Sequence, residues 1–120
     1  MSKLIYCATP SRLSFKLSEI MDFVTSKGYG PLHPFQAFPI DRFESGPLGR
    51  EKSMEYCFRA VSICDEFWIF GISNGTLEEL VFAKKTNKKV EFYLDQFDPD
   101  WKKYYFLLKD QFNNPLGLLI

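Results

Sequence analysis

Hydrophobic residues along the chain fall into short continuous runs that alternate with longer stretches of helical periodicity. The short runs predict strands over residues 3–8, 29–35, 66–71 and 89–94. The third run is apolar throughout after Glu66, which is typical of a central parallel strand buried on both faces. The second run is weaker, because two prolines interrupt it.

The stretches between these runs predict helices over residues 11–27, 47–64, 77–86 and 98–112. In the last of these helices we expect Asp98 to act as the N-cap and Pro99 to occupy the first helical position. Residues 36–46 show no clear period and predict a long loop suited to binding or to covering a site. The apolar residues 116–120 predict a fifth strand or a docking strip.

Strands that alternate with helices predict parallel pairing through right-handed crossovers. The fold class is therefore α/β, with a three-layer open parallel sheet of the Rossmann or flavodoxin type. We expect four to five strands in the order 2-1-3-4. Because the chain shows no internal repeat and no linker, residues 1–120 are treated as a single domain.

Charge and cysteine content exclude several classes of protein. Fifteen Lys and Arg balance fifteen Asp and Glu, whereas a protein that binds long nucleic acid usually carries a basic excess. Three cysteines without a C-x-x-C pair and a single histidine predict neither a disulfide framework nor a metal site. The sequence shows no signal peptide and no apolar span of about 20 residues. We therefore expect a cytoplasmic protein without a membrane partner.

The predicted carboxyl ends of the strands bring one set of polar residues together, and ligands of such sheets bind at that edge. The first strand places Thr9, Ser11 and Arg12 there, together with Tyr6. The second strand contributes His33. The third strand is followed by four further candidates, Ser73, Asn74, Gly75 and Glu79.

Glu79 is the sharpest candidate for chemistry. Gly75 allows the backbone to approach a ligand, and the N–H groups of the following helix point to the same place. A carboxylate beside a bound sugar can attack the anomeric carbon or stabilise an oxocarbenium-like state. The alternative is a capping box, in which Thr76 is the N-cap and Glu79 folds back to its N–H.

Other candidates also have two interpretations. Ser11 and Arg12 would offer a phosphate N–H donors and a guanidinium, but Ser11 is equally suited to an N-cap. His33 could bind a ligand or serve as a buried structural imidazole. Arg42 and Arg50, which flank the predicted loop, are interpreted as surface charges.

Five short motifs occur in an order that resembles the nucleoside 2-deoxyribosyltransferase-like superfamily. They are Ile5-Tyr6, His33-Pro34, Cys64-Asp65, the segment 73–83 and Lys88-Lys89-Val90. Glu79-Leu80-Val81-Phe82-Ala83 aligns without a gap with the Glu-Leu-Gly-Tyr-Ala segment that carries the family's catalytic glutamate. Val81 stands in place of the glycine, which would narrow the approach to the helix. The loop before the helix is shorter than in family transferases.

The resemblance implies that Glu79 is the nucleophile at the N-glycosidic bond of a nucleoside or nucleotide and that Tyr6 orients it. It implies that the first loop, with Thr9, Ser11 and Arg12, holds the sugar or a 5′-phosphate. His33 is kept beside these residues as a candidate substrate contact. Ser73, Asn74 and Gly75 would line the ribose pocket. No cofactor or metal is implied, and hydrolysis and transfer both stay open. The family likeness also suggests a homodimer or larger homo-oligomer.

Two further interpretations stay open. Gly75-Thr76-Leu77-Glu78-Glu79 is also similar to the Gly-Thr-x-x-Glu segment of lysine-decarboxylase-like nucleotide phosphoribohydrolases, although the glycine-rich phosphate loop of those enzymes is missing. The chain could instead be a non-catalytic nucleotide-binding or sensing module. A small interaction domain that uses the last helix and residues 116–120 is a third possibility.

Overall fold

The computed structural model describes residues 2–38, 46 and 49–113. Its strands are β1 (Leu4–Ala8), β2 (Gly30–Leu32), β3 (Glu66–Ile69) and β4 (Lys89–Phe92). Its α-helices are α1 (Leu17–Ser26), α2 (Pro34–Ala37), α3 (Gly49–Ile63), α4 (Asn74–Lys85), α5 (Leu94–Phe97) and α6 (Trp101–Leu108). Two 3₁₀ segments, Ser11–Lys16 and Lys109–Phe112, precede α1 and follow α6.

Within the described part of the chain the four strands form one parallel sheet in the order β2-β1-β3-β4. This confirms the predicted α/β class and strand order. Residues 39–45, most of the predicted loop, and residues 116–120, the predicted fifth strand or docking strip, lie outside the described residues.

The sheet is buried on both faces because successive side chains of β1 point to opposite sides. Ile5 and Cys7 pack into a cluster with residues of α1 and α5. Tyr6 and Ala8 face the other way and pack with residues of α3, α4 and α6. The two clusters make a helix layer on each side of the sheet, which is the three-layer arrangement expected from the sequence.

Three helix starts differ from the predictions. The first predicted helix opens as 3₁₀ turns with a kink at Leu13, and α-helical geometry begins at Leu17. Helix α4 begins at Asn74, three residues earlier than predicted, because Ser73 caps it. The prediction that Asp98 is an N-cap is wrong: α6 begins at Trp101, and the Asp98 carboxylate instead pairs with Arg12.

Candidate functional site

A cavity of about 140 Å³ lies at the carboxyl edge of the sheet, beyond β1 and β3. One part of its wall is polar and comes from the ends of these strands and the start of α4: Thr9, Ser11, Ser73, Asn74, Gly75 and Thr76. The other part comes from α2 and α3 and their flanks, and is mainly apolar: Pro34, Phe35, Phe38, Met54 and Cys57. Glu79 also lines the cavity.

Glu79 and Tyr6 are joined inside this site. The Tyr6 hydroxyl donates a hydrogen bond of 2.5 Å to Glu79 Oε2, between residues that are 73 positions apart. Tyr6 is fully buried, Glu79 is 5% exposed, and the Tyr6 ring stacks on Phe67 at a centroid distance of 5.6 Å. The sheet and α4 therefore hold a carboxylate in one orientation at the cavity.

The proton of this hydrogen bond belongs to the tyrosine. Burial raises the pKa of Tyr6 well above its ordinary value, and the neighbouring Glu79 carboxylate and Cys57 thiol raise it further. Tyr6 therefore stays a neutral donor over the physiological range, and Glu79 is the acceptor. A hydrogen bond to one oxygen fixes the plane of the carboxylate without adding a charge beside it.

Helix α4 begins with a capping box that does not use Glu79. Ser73 Oγ accepts from the Thr76 N–H at 3.1 Å, and Thr76 Oγ1 accepts from the Ser73 N–H at 2.8 Å. The alternative that paired Thr76 with Glu79 is therefore wrong, because the cap lies three residues earlier. Glu79 falls in the second turn of α4, where it reaches the cavity and Tyr6.

His33 lies behind the cavity wall. It is 1% exposed, its Nδ1 accepts from the Phe35 N–H at 3.2 Å as the cap of α2, and its Nε2 lies 3.1 Å from Thr9 Oγ1. Burial lowers the pKa of His33 from 6.5 to about 4. The structure thus places His33 as a neutral support for Thr9 and α2, outside the lining where substrate contact was expected.

Arg12 is also outside the cavity lining. Its Nη1 and Nη2 each donate to the Asp98 carboxylate at 2.8 Å, Nη2 also donates to the Ile72 carbonyl at 2.6 Å, and the guanidinium lies 3.7 Å from the Tyr104 ring centroid. Ser11, its neighbour in sequence, does line the cavity. Two residues of the first loop, Thr9 and Ser11, therefore face the cavity, whereas Arg12 connects this loop to the segment before α6.

The sequence analysis missed the wall contributed by α3. Arg50, Ser53, Met54 and Cys57 all line the cavity and follow the i, i+3, i+4, i+7 spacing of one helix face. The stripe was recognised only from Met54 onward, and Arg50 was interpreted as a surface charge. Extending the same spacing backward by one turn is the signal that would have found it.

Val81, which stands where the resembled superfamily has a glycine, does not line this cavity. Val81 lies on another face of α4, where it lines a surface groove with Phe58 and Phe112. The expectation that it narrows the approach to this helix is therefore wrong. Among the described residues no cluster of three or more His, Cys, Asp or Glu could hold a metal ion, and no helix there is long and apolar enough to cross a bilayer.

A profile described as a domain of unknown function, DUF7768, matches residues 6–93. The chain belongs to the DUF7768 family. The DUF7768 match begins at Tyr6 and ends just after β4, so it includes Glu79 and every cavity-lining residue named above. No curated protein matches the chain at a significant level.

Proposed function

We propose that this DUF7768 domain acts on the N-glycosidic bond of a nucleoside or nucleotide, with Glu79 as the nucleophile and Tyr6 as its positioning residue. One observation carries the proposal: a buried carboxylate, held by a buried tyrosine at 2.5 Å, lines a cavity at the carboxyl edge of a parallel sheet. Burying a carboxylate is costly, and functional sites are where proteins retain such groups.

The chemistry would proceed in two steps. A Glu79 oxygen attacks C1′ of the sugar, the C1′–N bond breaks, and its electron pair and a proton from solvent go to the departing base. Water, or the nitrogen of a second base, then attacks C1′ of the glycosyl ester. This attack breaks the bond between C1′ and the Glu79 oxygen, the acceptor loses its proton to solvent, and the carboxylate is restored. The product is the free sugar in hydrolysis and a new nucleoside in transfer, so the two reactions differ only in the acceptor.

The size and composition of the cavity support a sugar ring beside Glu79. Pockets that enclose a drug-sized ligand usually measure about 300–1,000 Å³, so a cavity of about 140 Å³ can enclose the sugar and one edge of the base rather than a whole nucleotide. Hydroxyl-bearing residues such as Thr9 and Ser11 lie on the same wall as α4, and Phe35 and Phe38 lie on the apolar wall. We propose that the sugar contacts the former and the base the latter.

Base release is the direct test. The protein is incubated with 2′-deoxynucleosides and with their 5′-monophosphates, and free base is measured by chromatography. We expect the wild type to release base and Glu79→Gln to release none. Tyr6→Phe should lower kcat by up to about 100-fold, because it removes the bond that orients the carboxylate.

Glu55→Gln is the matched control, since Glu55 is an exposed carboxylate on α3 that does not line this cavity. It should leave the rate unchanged. Equal base release by wild type and Glu79→Gln would refute the proposal. A nucleotide that raises the melting temperature without base release would instead indicate the non-catalytic binding module. Assembly as a homodimer stays a prediction, which sedimentation of the purified protein would test.

A further inference from the structure

The Thr9 hydroxyl belongs to a series of hydrogen bonds that ends at the cavity. The Phe35 N–H donates to His33 Nδ1 at 3.2 Å, and His33 Nε2 lies 3.1 Å from Thr9 Oγ1. Thr9 Oγ1 in turn donates to the Cys7 carbonyl at 3.2 Å. His33 and Thr9 are both buried, and Thr9 lines the cavity. A buried imidazole and a buried carbonyl therefore hold one hydroxyl group of the cavity wall.

The direction of each of these bonds follows from the tautomer of His33. A backbone N–H can only donate, so Nδ1 is the acceptor nitrogen and carries no proton. Burial lowers the pKa of His33 to about 4, so the imidazole is neutral at pH 7 and its one ring proton is on Nε2. Nε2 therefore donates to Thr9 Oγ1, and the hydroxyl proton of Thr9 is directed to the Cys7 carbonyl.

These two bonds leave Thr9 a single hydrogen-bonding role toward a ligand. A hydroxyl group has one proton and two acceptor positions. The proton is used by Cys7 and one acceptor position by His33, so the remaining position can only accept. Turning the proton toward the cavity would break the bond to Cys7, which is fully buried, and the loss of a buried hydrogen bond is unfavourable. Thr9 therefore offers a ligand an acceptor.

Two other hydroxyl groups of the wall also direct their protons to the backbone. Ser53 Oγ donates to the Gly49 carbonyl at 2.8 Å, and Thr76 Oγ1 donates to the Gly71 carbonyl at 2.9 Å. Both residues line the cavity, as does the Glu79 carboxylate, which is itself an acceptor. This part of the wall therefore favours ligand groups that donate hydrogen bonds. Sugar hydroxyls are such groups, whereas the oxygens of an ionised phosphate accept.

We propose that Thr9 Oγ1 accepts a hydrogen bond from a free hydroxyl group of the bound sugar, and that His33 is the positioning residue that holds Thr9 for this contact. This inference rests on the proposed N-glycosidic function. The substrate class is then a nucleoside or nucleotide whose sugar is neither deoxygenated nor phosphorylated at the contacted carbon. The resemblance left the sugar and a 5′-phosphate open for the first loop, and this inference assigns Thr9 to the sugar.

Equilibrium binding tests the contact. The Glu79→Gln protein, in which turnover is blocked, is titrated calorimetrically with the ribonucleosides, the 2′-deoxynucleosides and their 5′-monophosphates. The ligand that binds most tightly is then compared with analogues that lack each of its sugar hydroxyls in turn. We expect deletion of the contacted hydroxyl to weaken binding by about two- to tenfold, the effect of one net hydrogen bond. The analogue that shows this effect identifies the carbon.

Variants of Thr9 identify the protein partner. In Thr9→Val, which keeps the shape of the side chain and removes its hydroxyl, deletion of the same sugar hydroxyl should no longer change the affinity. Thr9→Ser keeps a hydroxyl and should retain the difference. Thr25→Val is the matched control, because Thr25 also donates to backbone carbonyls but is exposed and does not line the cavity. It should retain the difference as well.

Fluorinated analogues test the direction of the bond with Thr9 unchanged. Fluorine in place of the contacted hydroxyl keeps a polar bond to carbon but cannot donate. The fluoro analogue should therefore bind as weakly as the deoxy analogue. A fluoro analogue that binds as tightly as the parent ligand overturns the assignment of Thr9 as the acceptor.

His33→Asn tests the positioning role. Asparagine keeps an acceptor for the Phe35 N–H but loses the N–H group that reaches Thr9, so the Cys7 carbonyl alone holds the hydroxyl. The affinity difference between the parent ligand and its deoxy analogue should therefore shrink. A purely structural role would weaken both ligands equally, and that result overturns the role of His33.

The outcomes separate this inference from the proposed function. If no sugar hydroxyl shows an affinity difference that depends on Thr9, the Thr9 contact is overturned even if the wild type releases base. If the difference depends on Thr9 but the wild type releases no base, the N-glycosidic proposal is overturned and the Thr9 contact stands. If no nucleoside or nucleotide binds, both are overturned.

Discussion

The pair formed by Arg12 and Asp98 should be a main determinant of stability. Asp98 is 1% exposed, and its carboxylate accepts from Arg12 Nη1 at 2.8 Å, from Arg12 Nη2 at 2.8 Å and from the Ile72 N–H at 3.0 Å. The Arg12→Met substitution removes two of these three donors while keeping much of the side-chain volume. It leaves a buried carboxylate with the Ile72 N–H as the remaining donor of the three.

The magnitude follows from burial. Breaking a buried ion pair costs about 3–5 kcal/mol, and the Arg12 side chain is 28% exposed, which places the loss near the lower end, about 3 kcal/mol. With a urea m-value of about 1–3 kcal/mol/M, the midpoint of unfolding should fall by about 1–3 M. In the double variant Arg12→Met/Asp98→Asn the uncompensated charge is gone. The free energy of unfolding of the double variant should therefore decrease by less than the sum of the decreases in the two single variants, by about 0.5–3 kcal/mol.

Urea unfolding followed by circular dichroism measures all three variants, and Arg59→Met controls for the loss of an exposed arginine. A loss below about 1 kcal/mol for Arg12→Met, together with additive single losses, would refute this reasoning.

Three further predictions concern buried groups. Burial lowers the pKa of His33 from 6.5 to about 4. The neutral imidazole therefore contributes fully to the free energy of unfolding above pH 6.5, and this contribution is lost as the pH falls toward 4. The free energy of unfolding should fall by about 3 kcal/mol over this pH range. This decrease should be absent in His33→Asn, whose side chain keeps an acceptor for the cap of α2. Gly71→Ala should lower the melting temperature, because its Cβ would lie 2.7 Å from Pro10 Cδ; an unchanged value would contradict this contact. Burial raises the pKa of Cys7 and of Cys64 to about 12. Iodoacetamide at pH 8 should therefore label them slowly until urea unfolds the protein, as intact mass would show.

The sheet could be predicted because its signals are local. The apolar run after Glu66 and the alternation of strands with helices are enough to identify a central strand and parallel pairing. The errors occurred where a side chain has two possible partners. Asp98 before Pro99 has the pattern of an N-cap, but Arg12, which is 86 residues away, binds its carboxylate instead. Ser73 and Thr76 are both competent caps, and only the structure shows which one begins α4.

The candidate site could be predicted only in part, because a local motif identifies some of its residues and tertiary contacts alone identify the others. The resemblance put Glu79 and Tyr6 forward together, and the structure joins them through a hydrogen bond. Arg12 and Arg50 could not be distinguished from sequence, since both lie beside predicted loops. The difference is tertiary: one arginine faces a buried aspartate and the other faces the cavity.

The position of Tyr6 within the sheet has a consequence for the dynamics of the site. Its strand, β1, is hydrogen-bonded to β2 on one side and to β3 on the other. Amides in such interior strands usually exchange with deuterium only when the whole domain opens. Tyr6, which orients the Glu79 carboxylate, therefore lies on a strand that should open only together with the whole domain. Partial unfolding of the outer elements should then leave the hydrogen bond between Tyr6 and Glu79 intact. A destabilised variant should contain fewer folded molecules, but the molecules that stay folded should keep the Glu79 carboxylate in the same orientation.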